Sequence, residues 1–135
     1  MQREESNVEL VNELKIDKDC MPDKQWIEEY VPLAVAVCKR HGVHVVSIRT
    51  CRSRSKGLHF YIKVKPAIRP ELANKLQFLL GDDCQRVDFN RARIRSRLND
   101  WNKLFEEIGI RLRTIYQRQS VRNPESVRRR LRCRR

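Results

Sequence analysis

The run Leu58-His59-Phe60-Tyr61-Ile62-Lys63-Val64-Lys65 decides the reading of this chain. Leu58, Phe60, Ile62 and Val64 take every second position, with His59, Tyr61, Lys63 and Lys65 between them. Successive strand side chains point to opposite faces, so the alternation predicts a strand with the first set on a core and the second on an open face. Upstream, Val43, Val45, Val46 and Ile48 form a β-branched run, favoured in strands. The polar stretch Arg52-Ser53-Arg54-Ser55-Lys56-Gly57 separates the two runs. Residues 43–65 therefore predict a β-hairpin. In its first strand Val46 and Ile48 are expected inward, with Ser47 and Arg49 outward. The open face would then show Arg49, His59, Tyr61, Lys63 and Lys65.

Rings interleaved with bases on an open sheet suit single-stranded nucleic acid, because bases stack on the rings and cations neutralise phosphates. An ordinary wet sheet face carries the same residue types. The loop adds Arg52, Arg54 and Lys56, as a backbone clamp or as a solvated turn.

Outward from the hairpin, residues 23–41 predict a helix with Trp26, Tyr30, Leu33, Val37 and Cys38 on one stripe. Asp23 suits its N-cap and Gly42 its end. Pro32 lies inside and removes one amide donor, so a kink or two short helices are expected. Residues 1–20 are ambiguous between a short helix and a strand. Pro66 and Pro70 close the sheet segment. Residues 70–80 read as a helix through Leu72, Leu76, Leu79 and Leu80, ended by Gly81. Cys84 to Phe89 reads as a short strand or a linker. Residues 90–108 read as a long helix, because Ile94, Leu98, Trp101, Phe105 and Ile108 recur at helical spacing. Arg91 and Arg95 would flank one side of that stripe, Arg93 and Arg97 the other. Residues 110–117 alternate like a further strand. Asn123-Pro124-Glu125 suits a helix start, and Arg128, Arg129 and Arg130 follow it.

The 135 residues carry a net charge of +13 in blocks. Residues 1–30 hold 4 basic and 9 acidic side chains, and residues 118–135 hold eight Arg and one Glu. Residues 39–65 contain eight bases and no acid. Blocks of one sign repel themselves unless neutralised, and phosphate is a natural neutraliser. Pairing of the bases with the acidic head, within one chain or across a homodimer, is the alternative. The Arg excess, 21 Arg to 9 Lys, suits phosphate because the planar guanidinium donates two parallel hydrogen bonds. No run of about 18 apolar residues suggests a membrane span. No signal peptide is visible, so an intracellular setting (host cytoplasm, for a viral protein) is expected.

Five Cys occur without a Cys-x-x-Cys pair. Cys38, His41, His44 and Cys51 are the candidate metal ligands. The alternative is a buried Cys38, a helix-capping His41 and a strand His44. Asp82, Asp83 and Asp88 are the candidate catalytic acids, since paired carboxylates hold a metal for phosphoryl transfer. The alternative is a solvated turn. No Gly-rich phosphate loop is present, and no cofactor is expected.

Three blocks carry a resemblance: Arg54-Ser55-Lys56-Gly57-Leu58-His59-Phe60-Tyr61-Ile62-Lys63, Leu76-Gln77-Phe78-Leu79-Leu80-Gly81-Asp82-Asp83 with Arg86, and Trp101-Asn102-Lys103-Leu104-Phe105. Over residues 43–107 the chain resembles small, mostly uncharacterised proteins of hyperthermophilic archaeal viruses and plasmids. Ser55-Lys56-Gly57-Leu58-His59 is also similar, more distantly, to the Ser/His hairpin motif of archaeal-eukaryotic primase-polymerases. That likeness implies a phosphate contact for His59. Those enzymes carry two carboxylates on the preceding strand, whereas Val46-Ser47-Ile48-Arg49 has none. Asp88 stands for their third acid only.

The expectation is an α+β domain over residues 21–117, with a small antiparallel sheet covered on one face by helices in a ferredoxin-like or RNA-recognition-like arrangement. An acidic segment, 1–20, precedes it and an Arg-rich tail, 118–135, follows. The expected function is nucleic-acid binding without catalysis. A metal-dependent nuclease or degenerate primase-like protein is one alternative, and a virion structural or assembly protein is the other.

Overall fold

In the computed structural model, residues 9–53, 57–104 and 112–119 are described. Their elements run β1 (Val11–Lys18), α1 (Lys24–Arg40), β2 (His44–Arg52), β3 (Leu58–Ile68), α2 (Pro70–Leu79), α3 (Cys84–Arg95) and β4 (Arg113–Gln117). The four strands form one antiparallel sheet in the order β1-β3-β2-β4. Helices pack against it, and the domain is a small α+β unit. β3 is inserted between β1 and β2, and β4 pairs with the free edge of β2.

The predicted alternation of β3 sets the core. Phe60, Ile62 and Val64 are fully buried and Leu58 nearly so. β1 adds Leu14 and Ile16, opposite Ile62 and Phe60. The ambiguous segment 1–20 thus contains an edge strand, and the domain begins before residue 21. Each large apolar side chain buried this way stabilises the fold by about 1.5–3 kcal/mol.

β2 departs from the expected alternation. The register shifts between Val45 and Ser47, so Val45 faces Val64 and Ser47 faces Lys63. This bulge turns Val45, not Val46, into the core and leaves Val46 half-exposed. β3 also continues through Pro66 to Ile68, which pairs with Val11.

α1 is one helix, running through Pro32. Asp23 accepts the amide of Trp26 at 2.7 Å, closing the N-terminal end. Gly42, at φ +74°, follows the C-cap His41, in the left-handed conformation that glycine adopts without Cβ strain. The buried stripe is Tyr30, Ala34 and Cys38, and Leu33 points outward. Trp26, Tyr30 and Phe60 form an aromatic cluster that seats α1 on the sheet, with the Trp26 and Tyr30 rings stacked at 4.8 Å. The Tyr30 hydroxyl donates to the Leu80 carbonyl at 2.8 Å, tying α1 to the end of α2.

The long helix expected over 90–108 is not formed. α3 begins at Cys84, capped by Asp83, and ends at Arg95. Arg97, at φ +58°, turns the chain, which folds Trp101 and Leu104 back into buried positions and leaves Leu98 exposed. The helical spacing of Ile94, Leu98 and Trp101 therefore does not mark one face of one helix. Only Val87 and Asn90 of α3 are buried. Amides supply what apolar contact does not: Asn90 Nδ2 donates to Asn74 Oδ1, and Asn74 Nδ2 donates to the Val87 carbonyl, at 3.2 and 3.1 Å. The expected C-terminal helix after Asn123 lies outside the described residues.

Candidate nucleic-acid interface

Register alone fixes the sheet face opposite the helices. Across β1, β3 and β2 it carries three rows: Glu13-Lys63-Ser47, Lys15-Tyr61-Arg49 and Asp17-His59-Cys51. The strand from the acidic head thus brings two carboxylates onto the face read as basic. Glu13 Oε2 pairs with Arg49 at 3.4 Å, and Asp17 Oδ1 lies 3.3 Å from His59 Nε2. Of the acids of residues 1–30, Glu13 thus pairs with a base of β2 within one chain.

The two rings expected on an open platform are not open. His59 and Tyr61 are each 5 % exposed, flanked on both sides along the central strand. A base cannot stack on a ring enclosed by its neighbours, so this face is not the aromatic surface that its alternation predicts. Lys63 and Lys65 remain exposed, as does Arg52. Arg54, Lys56, Arg128, Arg129 and Arg130 lie outside the described residues.

The row Asp17-His59-Cys51 unites residue types that were remote in sequence. Its imidazole lies beside a carboxylate and is buried, while Asp17 and Cys51 are partly exposed. Among the described residues no three His, Cys, Asp or Glu side chains stand together as a metal site. The four candidate ligands are dispersed. Cys38 is buried in the core, where burial pushes its thiol up to about 11. His41 caps α1, with Nδ1 2.9 Å from the Val37 carbonyl. His44 is exposed at the start of β2, while Cys51 lies near its end.

The candidate acids have separate structural tasks. Asp82 is not a solvated turn residue. Its Oδ1 accepts the amides of Asp17 at 2.9 Å and Asp83 at 3.0 Å, and its Oδ2 accepts Arg86 Nη1. Burial pushes its carboxyl up, opposed by Arg86 and those amides. Asp83 caps α3 by accepting the Gln85 amide at 2.9 Å. Asp88 is exposed on α3, 3.6 Å from Arg91.

The basic and aromatic surface is found on the helices instead. α2 and α3 enclose a groove of about 430 Å³. α2 contributes Glu71, Asn74, Lys75 and Phe78, and α3 contributes Val87, Arg91, Ile94 and Arg95. The expected grouping of Arg91 with Arg95 holds, since residues four apart share a helix face. Phe78 is 51 % and Phe89 60 % exposed, and the Arg93 guanidinium lies 5.9 Å from the Phe89 ring centre. Arg97 is exposed just past the helix. The surface is of the kind that contacts nucleic acid, with cations for phosphates and rings for bases.

Lys75, Phe78 and Phe89 were not singled out by sequence. Phe78 falls off the Leu72, Leu76 and Leu80 stripe, which was its available signal. Phe89 was hidden by reading 84–89 as a strand or linker. No helix among the described residues is long and apolar enough to cross a membrane. Compared with protein-family models, curated proteins and solved structures, the chain matches none.

Proposed function

We propose that this protein binds nucleic acid without catalysing a reaction on it, through the surface built by α2 and α3. The observation that carries the reading is the groove itself. Lys75, Arg91 and Arg95 line it together with Phe78, and the one acid of its lining, Glu71, lies 3.7 Å from Arg69. Elsewhere on the domain Lys63 and Lys65 are exposed, and residues 118–135 add eight Arg and one Glu to the charge of the chain. In this reading the domain is a variant of the RNA-recognition-like arrangement, keeping β3 between β1 and β2 and seating its last strand on β2. The three sequence blocks favour an archaeal viral or plasmid protein acting inside the host cell.

Anisotropy of labelled oligonucleotides, titrated with full-length protein across a salt series, tests the reading. The logarithm of affinity should fall linearly with the logarithm of salt, by about 0.7 per neutralised phosphate on a single strand. Arg91→Glu with Arg95→Glu should weaken binding and flatten that slope. No binding at low salt, or binding indifferent to salt, overturns the reading.

A further inference from the structure

We propose that the α2–α3 groove is a pocket for one unpaired nucleobase, stacked on Phe78, with the adjoining phosphates held by Arg91 and Arg95. The inference rests on the nucleic-acid reading and narrows it to single-stranded or flipped-out nucleotides. Its first support is size, since about 430 Å³ falls in the range of about 300–1,000 Å³ typical of small-ligand sites. Its second is the chemistry of the walls. Phe78, Val87 and Ile94 provide an apolar bed, and Lys75, Arg91 and Arg95 provide cations around it. A base with its phosphates needs both, apolar along the ring and positive at the backbone.

The cations are available for exchange. Arg91 lies 3.6 Å from Asp88, but these side chains are 60 % and 75 % exposed, and such surface pairs contribute little. A phosphate can replace that partner at small cost. The groove is also shaped from rigid parts, because the Asn74 and Asn90 amides bond across α2 and α3 beside it. The contact proposed for the base is stacking on the Phe78 ring, which every base can make. That predicts tolerance of base identity.

Charge argues against one competing occupant. The chain's own residues 118–135, with eight Arg and one Glu, would meet three cations of like sign. In a duplex both faces of a base are stacked, so the Phe78 ring has nothing to engage. An unpaired base presents its face freely.

The test uses full-length protein with a labelled 20-nucleotide oligo-dT, a 20-nucleotide oligo-rU and a duplex of equal length. Phe78→Ala should weaken single-strand binding about fivefold to a hundredfold, with the salt slope and duplex affinity unchanged. Phe78→Tyr should restore most of the loss, because it keeps a stacking ring. Circular dichroism melts of each variant separate loss of folding from loss of stacking. Equal single-strand affinity of wild type and Phe78→Ala overturns the pocket while leaving the nucleic-acid reading standing. Failure of wild type to bind any of the three at low salt overturns both. A self-associating wild type that becomes monomeric in Phe78→Ala, with unchanged oligonucleotide affinity, shows that a second copy fills the groove and also overturns the pocket.

Discussion

Arg86 and Asp82 close the outer edge of β1 without a strand. Arg86 Nη1 donates both to Asp82 Oδ2 and to the Lys15 carbonyl, the latter at 3.0 Å, while Asp82 Oδ1 accepts the Asp17 amide. Gln77 Oε1 accepts the Lys15 amide at 3.0 Å. Arg86 Nη2 reaches both the backbone carbonyl and the Oδ1 of Asn102, and Asn102 exchanges hydrogen bonds with Gln77. Side chains thus satisfy peptide groups that a neighbouring strand would otherwise pair. An open edge invites pairing with another chain, so the device also protects the sheet.

Removing one member should be costly. The side chains of Asp82 and Arg86 are 0 % and 10 % exposed, and a buried charge left alone costs about 3–5 kcal/mol. Arg86→Leu should therefore lower unfolding stability by about that amount in urea titrations. Asp82→Asn should cost less, and the double variant should cost less than the sum of the two. Additive losses, or a loss of under about 1 kcal/mol for Arg86→Leu, would show that the pair is not coupled.

Tyr61 should behave as a packing residue. It is 5 % exposed between Lys15 and Arg49 in the sheet register. Tyr61→Ala should cost about 3 kcal/mol of stability, as large-to-small aromatic changes in packed sites do. Oligonucleotide affinity, measured well below the melting temperature of the variant, should stay within twofold of wild type. A large affinity loss in the still-folded variant would return base stacking to the sheet face.

Gly57 should resist substitution. Its amide donates to Ser53 Oγ at 2.8 Å and its carbonyl accepts the Ser53 amide at 3.0 Å. A Cβ there would press on the backbone carbonyl oxygen of Lys18, which has no flexible end to move. Gly57→Ala should cost about 1–3 kcal/mol, read from the shift of the urea midpoint. Wild-type stability in this variant would mean that β1 and the loop yield easily.

Cys38 should be silent in the fold and should report on alkali. Burial pushes its thiol up to about 11 from an ordinary value of 9.0. The native state then keeps a proton that the unfolded chain has lost, so stability is full below about pH 9 and is lost as pH rises through 11. Tyr30, whose phenol is also pushed up by burial, adds loss of the same sign. The melting temperature should fall across that window, less steeply in Cys38→Ala. Iodoacetamide near pH 8 should modify the exposed Cys20 and Cys84 well before Cys38, followed by peptide mass mapping. Equal alkylation rates would place Cys38 outside the core.

Local alternation made much of the fold legible. The inward set of β3, the capped start of α1 and the span of α2 each depend on neighbours a few residues apart. The long helix over 90–108 failed for the same reason. Helical spacing at Ile94, Leu98 and Trp101 is a local pattern, but the turn at Arg97 lets a buried Trp101 be reached from a loop. The bulge at Val46 likewise leaves no mark in a β-branched run.

The candidate interface shows the same division. By itself the sequence determined the charge blocks, the hairpin and the placement of Arg91 beside Arg95, all properties of composition or of short-range periodicity. Only the tertiary structure decided which rings are exposed. His59 and Tyr61 are each 5 % exposed, whereas Phe78 is 51 % exposed. Exposure is set by whatever the rest of the fold brings near, and side-chain alternation records which way a residue points, not what meets it there.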